Sequence, residues 1–433
     1  MDFGNIFLQG KNNTKLFFGT HENMQIRTYL FTILQTLSSI SNGLVSDKEK
    51  FLGPYKAYSI LPTTQDHLEV LRLFHDLHQE LIWKDNIILG EATDVIAPYE
   101  DQSKLEQILT QYNIQYKVTV NNVERLILEE SEQNDFLRNR LLDDSGPNGQ
   151  KSFYDISRYH SYDDMVRYMN FLKWRYYYMV DLIDLGKTYE GRTIKTIKIS
   201  YPIEAKNKRS IWIDAGTHAR EWASHSTAMY FINLLTTQYD YDPEVRQYVN
   251  NFTWYITPVL NPDGYEYSRS VKSVRVRMWR KNRSKREAHC SPSTKRCCVG
   301  VDLNRNFDFY WHCKLHCSER FVNLPIFFCQ AFSNNRQPCF EDYRGPWAFS
   351  ENETMAVRDF MYKHGHEIDA YITMHTYSQY WIYPFGHKAS VYPKDIDELK
   401  AVALNATEAL RRVHGTVYKI GSGADLLSTF RNI

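Results

Sequence analysis

The chain has 433 residues, 43% hydrophobic and 24% charged, enough for one small and one large domain with a sizeable core. A formal net charge of +1 excludes the broad basic footprint of a nucleic-acid or acidic-membrane binder, and 31 tyrosines, 23 phenylalanines and 9 tryptophans argue against general disorder.

Residues 1–23 read as an upstream extension. They precede Met24 to Arg27, the apolar run Tyr29 to Leu37 and the small polar stretch Ser38 to Ser46, which together predict a signal peptide over 24–46. The apolar run is shorter than the roughly 20 residues a bilayer requires, so no membrane span is expected and the product is placed outside the cell. Sequons at Asn251, Asn282, Asn352 and Asn405 fit that placement.

Residues 47–133 predict a small α/β unit of ferredoxin-like, open-sandwich kind. Strands are expected at Lys56–Leu61, Asp94–Tyr99 and Gln115–Val120, with helices at Gln65–His78, where Leu68, Leu71, Leu73 and Phe74 fall at helical spacing, and at Gln102–Tyr112. A connecting helix, Asn122–Glu132, leads to a polar linker over 134–150, where Arg138 and Arg140 are either solvated arginines or cleavage points for a trypsin-like protease.

Over 151–433, strand-like and helix-like segments alternate, predicting a mixed twisted sheet with helices on both faces. Ser161 and Asp164 form a helix start; strands are expected at Lys195–Ser200 and Ile211–Ala215, and helices at Thr227–Thr237, Asn352–His364 and Asp395–Val413.

The Ile211–Ala215 strand runs into a glycine turn carrying His218 and Glu221, three residues apart and able to face one cation. His364 and Glu367 repeat the spacing late in a helix, where exposure is the default. A second apolar strand ends in His375, the third ligand. Two histidines and one glutamate leave a coordination position free, as catalytic zinc sites do.

His218 to Trp222, Arg277 to Lys281, Gly300 to Phe307 and His375 to Gln379 resemble, in this order, the motifs of the pancreatic-type A/B metallocarboxypeptidases, and the front unit resembles their inhibitory propeptide. The resemblance implies a carboxypeptidase-like fold, one zinc ion held by His218, Glu221 and His375, and hydrolysis of the C-terminal bond of peptides. It implies that Arg280 polarises the scissile carbonyl, that Asn304 and Arg305 grip the terminal carboxylate, and that Arg220, Thr376 and Tyr377 line neighbouring subsites. Peptides with a free C-terminus and an activating trypsin-like protease are the expected partners of a monomer.

By the same resemblance Cys298 and Cys339 form a disulfide, leaving Cys290, Cys297, Cys313, Cys317 and Cys329 unassigned. Cys313 and Cys317 with His312 and His316 could form a second zinc site, though secreted thiols usually oxidise. The stretch Cys313–Arg336 is longer than the family loop. Family members continue beyond Asp425 to a strand bearing the general-base glutamate; no such strand follows His375 here. The sheet is therefore expected to be incomplete at its C-terminal side and turnover impaired, with a non-catalytic binder of zinc and peptide carboxylates as the alternative.

Overall fold

The computed structural model describes residues 5–7, 53–77, 87–132, 154–206, 208–286, 288–290, 297–311 and 338–427. The predicted signal peptide, Arg138, Arg140 and the Cys313/Cys317 cluster lie outside them.

The front unit runs β2 (Lys56–Leu61), α1 (Gln65–Leu77), β3 (Thr93–Ala97), α2 (Tyr99–Gln111), β4 (Gln115–Val120) and α3 (123–132). Its three strands form an antiparallel sheet, order β3-β2-β4. Alternation along β2 buries Tyr58 and Ile60, and Leu68, Leu71 and Phe74 project from one face of α1 onto them. Pro98 precedes α2, where its fixed φ suits a helix entry and Glu100 and Asp101 complement the helix dipole.

The large unit contains α4 (Tyr162–Arg175), β5 (Val180–Lys187), β6 (Thr193–Ile199), β7 (Arg209–Ala215), α5 (Trp222–Thr237), α6 (Pro243–Asn251), β8 (Phe252–Thr257), α7 (Pro262–Ser270) and α8 (Val274–Arg277). The short strands β9 (His289–Cys290) and β10 (Cys297–Cys298) follow, then α9 (Asn352–His364), β11 (Ile368–His375), β12 (Tyr380–Tyr383), α10 (Ile396–His414), β13 (Lys419–Ser422) and α11 (Gly423–Leu427). The start signal at Ser161 is a working cap, its hydroxyl accepting from the Asp164 amide.

A mixed eight-stranded sheet, order β13-β12-β1-β11-β7-β8-β6-β5 with β1 at Asn5–Phe7, organises this unit. Strands β11, β7 and β8 are mutually parallel, whereas β5 and β6 pair antiparallel at one edge. The strand β7 is buried along most of its length, as a parallel strand covered on both faces must be. Helices α4 to α7 pack on one face around Met169, Ile213, Met229 and Ile256, and α9 covers the other through Trp212, Tyr255 and Phe360.

The expected strand Asp94–Tyr99 ends at Ala97 and α2 begins at Tyr99 rather than Gln102, and two further segments depart from the sequence expectations. Helix α5 begins at Trp222, five residues before Thr227, because Ser224 and His225 are buried polar residues hydrogen-bonded back to the Glu221 carbonyl rather than exposed loop. Asn5–Phe7, in the segment read as an extension, forms β1, antiparallel to β11 and parallel to β12. Its backbone thereby satisfies facing donors and acceptors of two strands that do not pair with each other.

The front unit docks on the large one. Ala57, Ile96 and Val123 form a small apolar cluster with Val274 and Met278; Glu130 pairs with Arg277 at 3.0 Å, and Glu91 accepts from the Tyr380 hydroxyl at 2.6 Å and pairs with Lys419. The unit thus bridges the segment leading to Arg280 and the strands following His375. Among the described residues no helix is long and apolar enough to cross a membrane.

Candidate metal centre and carboxylate clamp

The two histidines are brought together by topology. Strands β7 and β11 are adjacent and parallel, Ala215 pairing with Met374, so the turn after β7 and the last residue of β11 share the carboxyl edge of the sheet. Open α/β sheets place ligands at this edge. Gly216 makes the turn with φ +69°; a Cβ there would sit 2.5 Å from the His225 ring, so only glycine fits.

His218, Glu221 and His375 are buried, with one potential ligand atom of each lying within 4.8 Å of the others, and they are the metal-capable group found among the described residues. His218 Nδ1 stands 2.7 Å from Glu221 Oε1 and 3.1 Å from His375 Nδ1, which is 3.1 Å from Glu221 Oε2. Ligands about 2.0–2.2 Å from one tetrahedral ion stand roughly 3.3 Å apart, so two nitrogens and an oxygen at these separations suit a small divalent ion. His364 ends α9 and pairs with Glu367 in the 3₁₀ turn that follows, at the start of β11 rather than at its His375 end.

Asp302, to which sequence reading gave no role, ties the site together. Its Oδ1 accepts from His218 Nε2 at 3.1 Å and from the Asn304 backbone at 2.9 Å, and its Oδ2 accepts Arg280 Nε and a terminal guanidinium nitrogen at 3.0 and 2.9 Å. A proton on Nε2 leaves the His218 Nδ1 lone pair facing Glu221 and His375, the tautomer a metal ligand needs. The signal was present: an aspartate N-capping the 3₁₀ turn Leu303–Arg305 within the Gly300–Phe307 motif.

Burial alone would raise the Asp302 carboxyl; Arg280, His218 and Arg305 outweigh it and hold the group well below the usual carboxylate range. For Glu221, burial again opposes the shift, and His218 and His375 bring it far down. Burial and Arg280 press His218 downward, but Glu221 and Asp302 carry it above the ordinary imidazole value. The trio is thus an anionic pocket that favours a cation.

The remaining predicted residues ring this centre. Arg280 is buried, and its carbonyl accepts the Ala219 amide at 2.9 Å, linking it to the His218 turn. Arg220 reaches the Met278 carbonyl at 3.3 Å and Glu341 at 3.7 Å. Asn304 and Arg305 follow Asp302 on the turn, Thr376 donates its amide to Glu221 Oε2 at 3.1 Å, and Tyr377 is exposed. Cys298 is bonded to Cys339, as the resemblance implied, and Cys290 to Cys297 across the β9–β10 pair, two cysteines that it left unassigned.

A mixed sheet with a His/Glu/His trio at the carboxyl edge of its parallel strands has the build of a metal-dependent hydrolase carrying a docked N-terminal module. Comparison with known proteins narrows this. A model of zinc carboxypeptidases matches residues 165–432, and a model of the carboxypeptidase activation peptide matches residues 58–130. Carboxypeptidase A2 of Rattus norvegicus is 32% identical over 381 residues, covering 88% of this chain and 81% of the relative. The crystal structure of carboxypeptidase A from Helicoverpa armigera superposes with a TM-score of 0.69 at 25% identity, over 86% of this chain and 82% of that one. Thrombin activatable fibrinolysis inhibitor gives 0.68 at 30% identity, over 86% and 84%. The chain belongs to the zinc carboxypeptidase family, a family of hydrolases, and carries the family's activation peptide.

Proposed function

We propose that the chain is a secreted procarboxypeptidase that binds one zinc ion through His218, Glu221 and His375 and removes single residues from peptide C-termini. The observation that carries this reading is the convergence of those three side chains beside the Arg280–Asp302 pair and the Asn304–Arg305 turn. Bound zinc would supply Lewis acidity toward a carbonyl oxygen and acidify a water. Arg280, held by Asp302, would meet negative charge developing on the scissile carbonyl, where a fixed guanidinium in a buried cleft is most effective. Asn304 and Arg305 would hold the substrate's free carboxylate, which a guanidinium fork matches bidentately. Arg220, Thr376 and Tyr377 would line the adjoining subsites.

The seat of the front unit, spanning the approach to Arg280 and the strands after His375, supports a role in excluding substrate until a trypsin-like protease cuts near Arg138 or Arg140. Treating the secreted monomer with trypsin and assaying blocked dipeptides with and without a chelator tests this. Chelator-sensitive release of the last residue is expected; chelator-insensitive or absent release counts against it.

A second reading is a binder of zinc and peptide carboxylates with little turnover. Among the described residues, the carboxylates touching the trio are Glu221, itself a ligand, and Asp302, held by Arg280, so neither is free to act as general base. General acid–base catalysis contributes typically ~10²–10⁴-fold, and turnover would fall accordingly. Peptide affinity by calorimetry without product favours this reading, whereas equal affinity for C-terminally amidated peptides sinks the carboxylate clamp.

A further inference from the structure

Behind Arg280 lies a cluster of polar side chains with almost no access to solvent. Asn282 is 0% exposed, as are Glu353, Asn306, Ser350 and Thr354, and Glu351 is 1% exposed. The Asn282 side-chain oxygen accepts from the Val301 amide at 2.9 Å and the Ser284 amide at 3.3 Å. Backbone N–H groups can meet only an oxygen, so the orientation of the amide is fixed and its nitrogen faces α9. That nitrogen donates to Glu351 Oε2 at 2.7 Å and to Glu353 Oε2 at 3.1 Å. All four hydrogen-bonding capacities of Asn282 are therefore used.

The two carboxyl groups are not equivalent. Glu351 accepts a second bond, from the Ser350 hydroxyl at 2.8 Å, whereas Glu353 Oε1 is buried with no partner. An oxygen so placed cannot carry ionic charge cheaply, and a second negative carboxylate sharing the same NH₂ group would be repelled. Asp263 on α7 adds further negative potential, while the nearby cations are engaged elsewhere. Arg192 pairs with Asp263, Arg283 lies over the rings of Tyr267 and Trp279, and Arg286 donates to the Ser350 carbonyl and to Asn352.

We propose that Glu353 is a protonated positioning residue: as a neutral acid it joins Glu351 and Asn282 in clamping the loop of Arg280 against the turn of Asp302, Asn304 and Arg305. The clamp is continuous. The Asn282 amide donates to the Val301 carbonyl while the Val301 amide donates to the Asn282 side-chain oxygen, and Asn306, next to Arg305, is held by Ser350, Thr354 and the Glu351 amide. The importance of this loop and turn rests on the proposed function, but the state of the clamp does not. Burial, reinforced by Glu351 and Asp263, raises the Glu353 carboxyl to about 8, in keeping with a proton retained at neutral pH. The Asn282-Arg283-Ser284 sequon, its amide nitrogen committed inside the protein, is then a structural element and carries no glycan.

A carboxyl titrating near 8 when folded and near 4.5 when unfolded contributes stability that is complete below 4.5 and is lost as pH rises toward 8. In the full-length protein, Glu353→Gln removes this dependence, so its Tm minus that of the wild type should grow between about pH 4.5 and 8 and level off above. Parallel Tm curves from pH 5 to 9 would overturn the protonated state.

Hydrogen exchange over 278–286 and 300–307, compared at equal pH, reads the positioning role without ligand or metal turnover. The variant's protection relative to that of the wild type should grow more than about tenfold from pH 6 to pH 9, across the titration. A widening Tm gap with identical protection at both values would overturn the positioning role. If Glu353→Gln fails to fold, Glu351→Gln removes the neighbouring charge and should make the wild-type fall in Tm shallower; an unchanged slope counts against the clamp. A glycan found on Asn282 of folded protein would also overturn it. Failure of the catalytic reading shows separately, in the zinc and hydrolysis measurements, and leaves these patterns intact.

Discussion

The network behind the His/Glu/His trio and the seat of the activation module meet on the same short segment, Arg277 to Asn282, and they are built differently. On the inner side Arg280, Asp302, Asn282 and Glu353 are at most 3% exposed, and the polar atoms are cross-linked in a chain from His218 to α9. On the outer side the module is held by a handful of apolar side chains and by ion pairs at Glu130 and Glu91 whose carboxylates retain 31% and 24% exposure. Buried, multiply satisfied polar groups are costly to break, whereas part-exposed pairs are weak and screened by salt. One surface is suited to fixed geometry and the other to release.

The sharpest way to break the inner side is Asp302→Ala. It removes the buried carboxylate that Arg280 and His218 share, and loss of one partner of such a pair costs ~3–5 kcal/mol. Chemical denaturation should show that loss; a change below about 1 kcal/mol would mean the network is less rigid than its geometry. The acid limb sharpens the point. The Asp302 carboxyl lies lower in the folded protein than in the unfolded chain, so its contribution is present above about pH 4 and lost as pH falls through the depressed folded value. Asp302→Asn should flatten the loss of Tm on acidification.

Replacing Cys298 and Cys339 by serine opens a bridge with a sequence separation of 41 residues. The chain-entropy model puts the cost of a loop of that size at ~4 kcal/mol, measurable by denaturation of both forms. At the outer surface, Glu130→Gln should cost no more than ~1 kcal/mol of module docking. After linker cleavage the module should leave up to several-fold faster, and high salt should reproduce the effect in the wild type. A departure rate indifferent to salt would show that the apolar cluster alone holds it.

The trio was legible in the sequence because each histidine ends or follows an apolar strand, and adjacent parallel strands bring their carboxyl ends together whatever the intervening chain. Helix starts such as Ser161 were legible for a local reason, a side chain capping its own backbone. Non-local partnerships were not. Asp302 owes its role to His218 and Arg280, 84 and 22 residues away. Asn282 looks like a glycan acceptor until α9 closes over it, and the pairing of β1 with strands near residue 375 cannot be inferred from three residues of sequence.

Zinc content tests the central claim most directly. The purified wild-type chain, dialysed against buffered zinc, should hold one equivalent by elemental analysis. His218→Ala, Glu221→Ala and His375→Ala should each fall toward zero while keeping the wild-type circular dichroism. One full equivalent retained by any of these folded variants would contradict a single ion held by all three side chains.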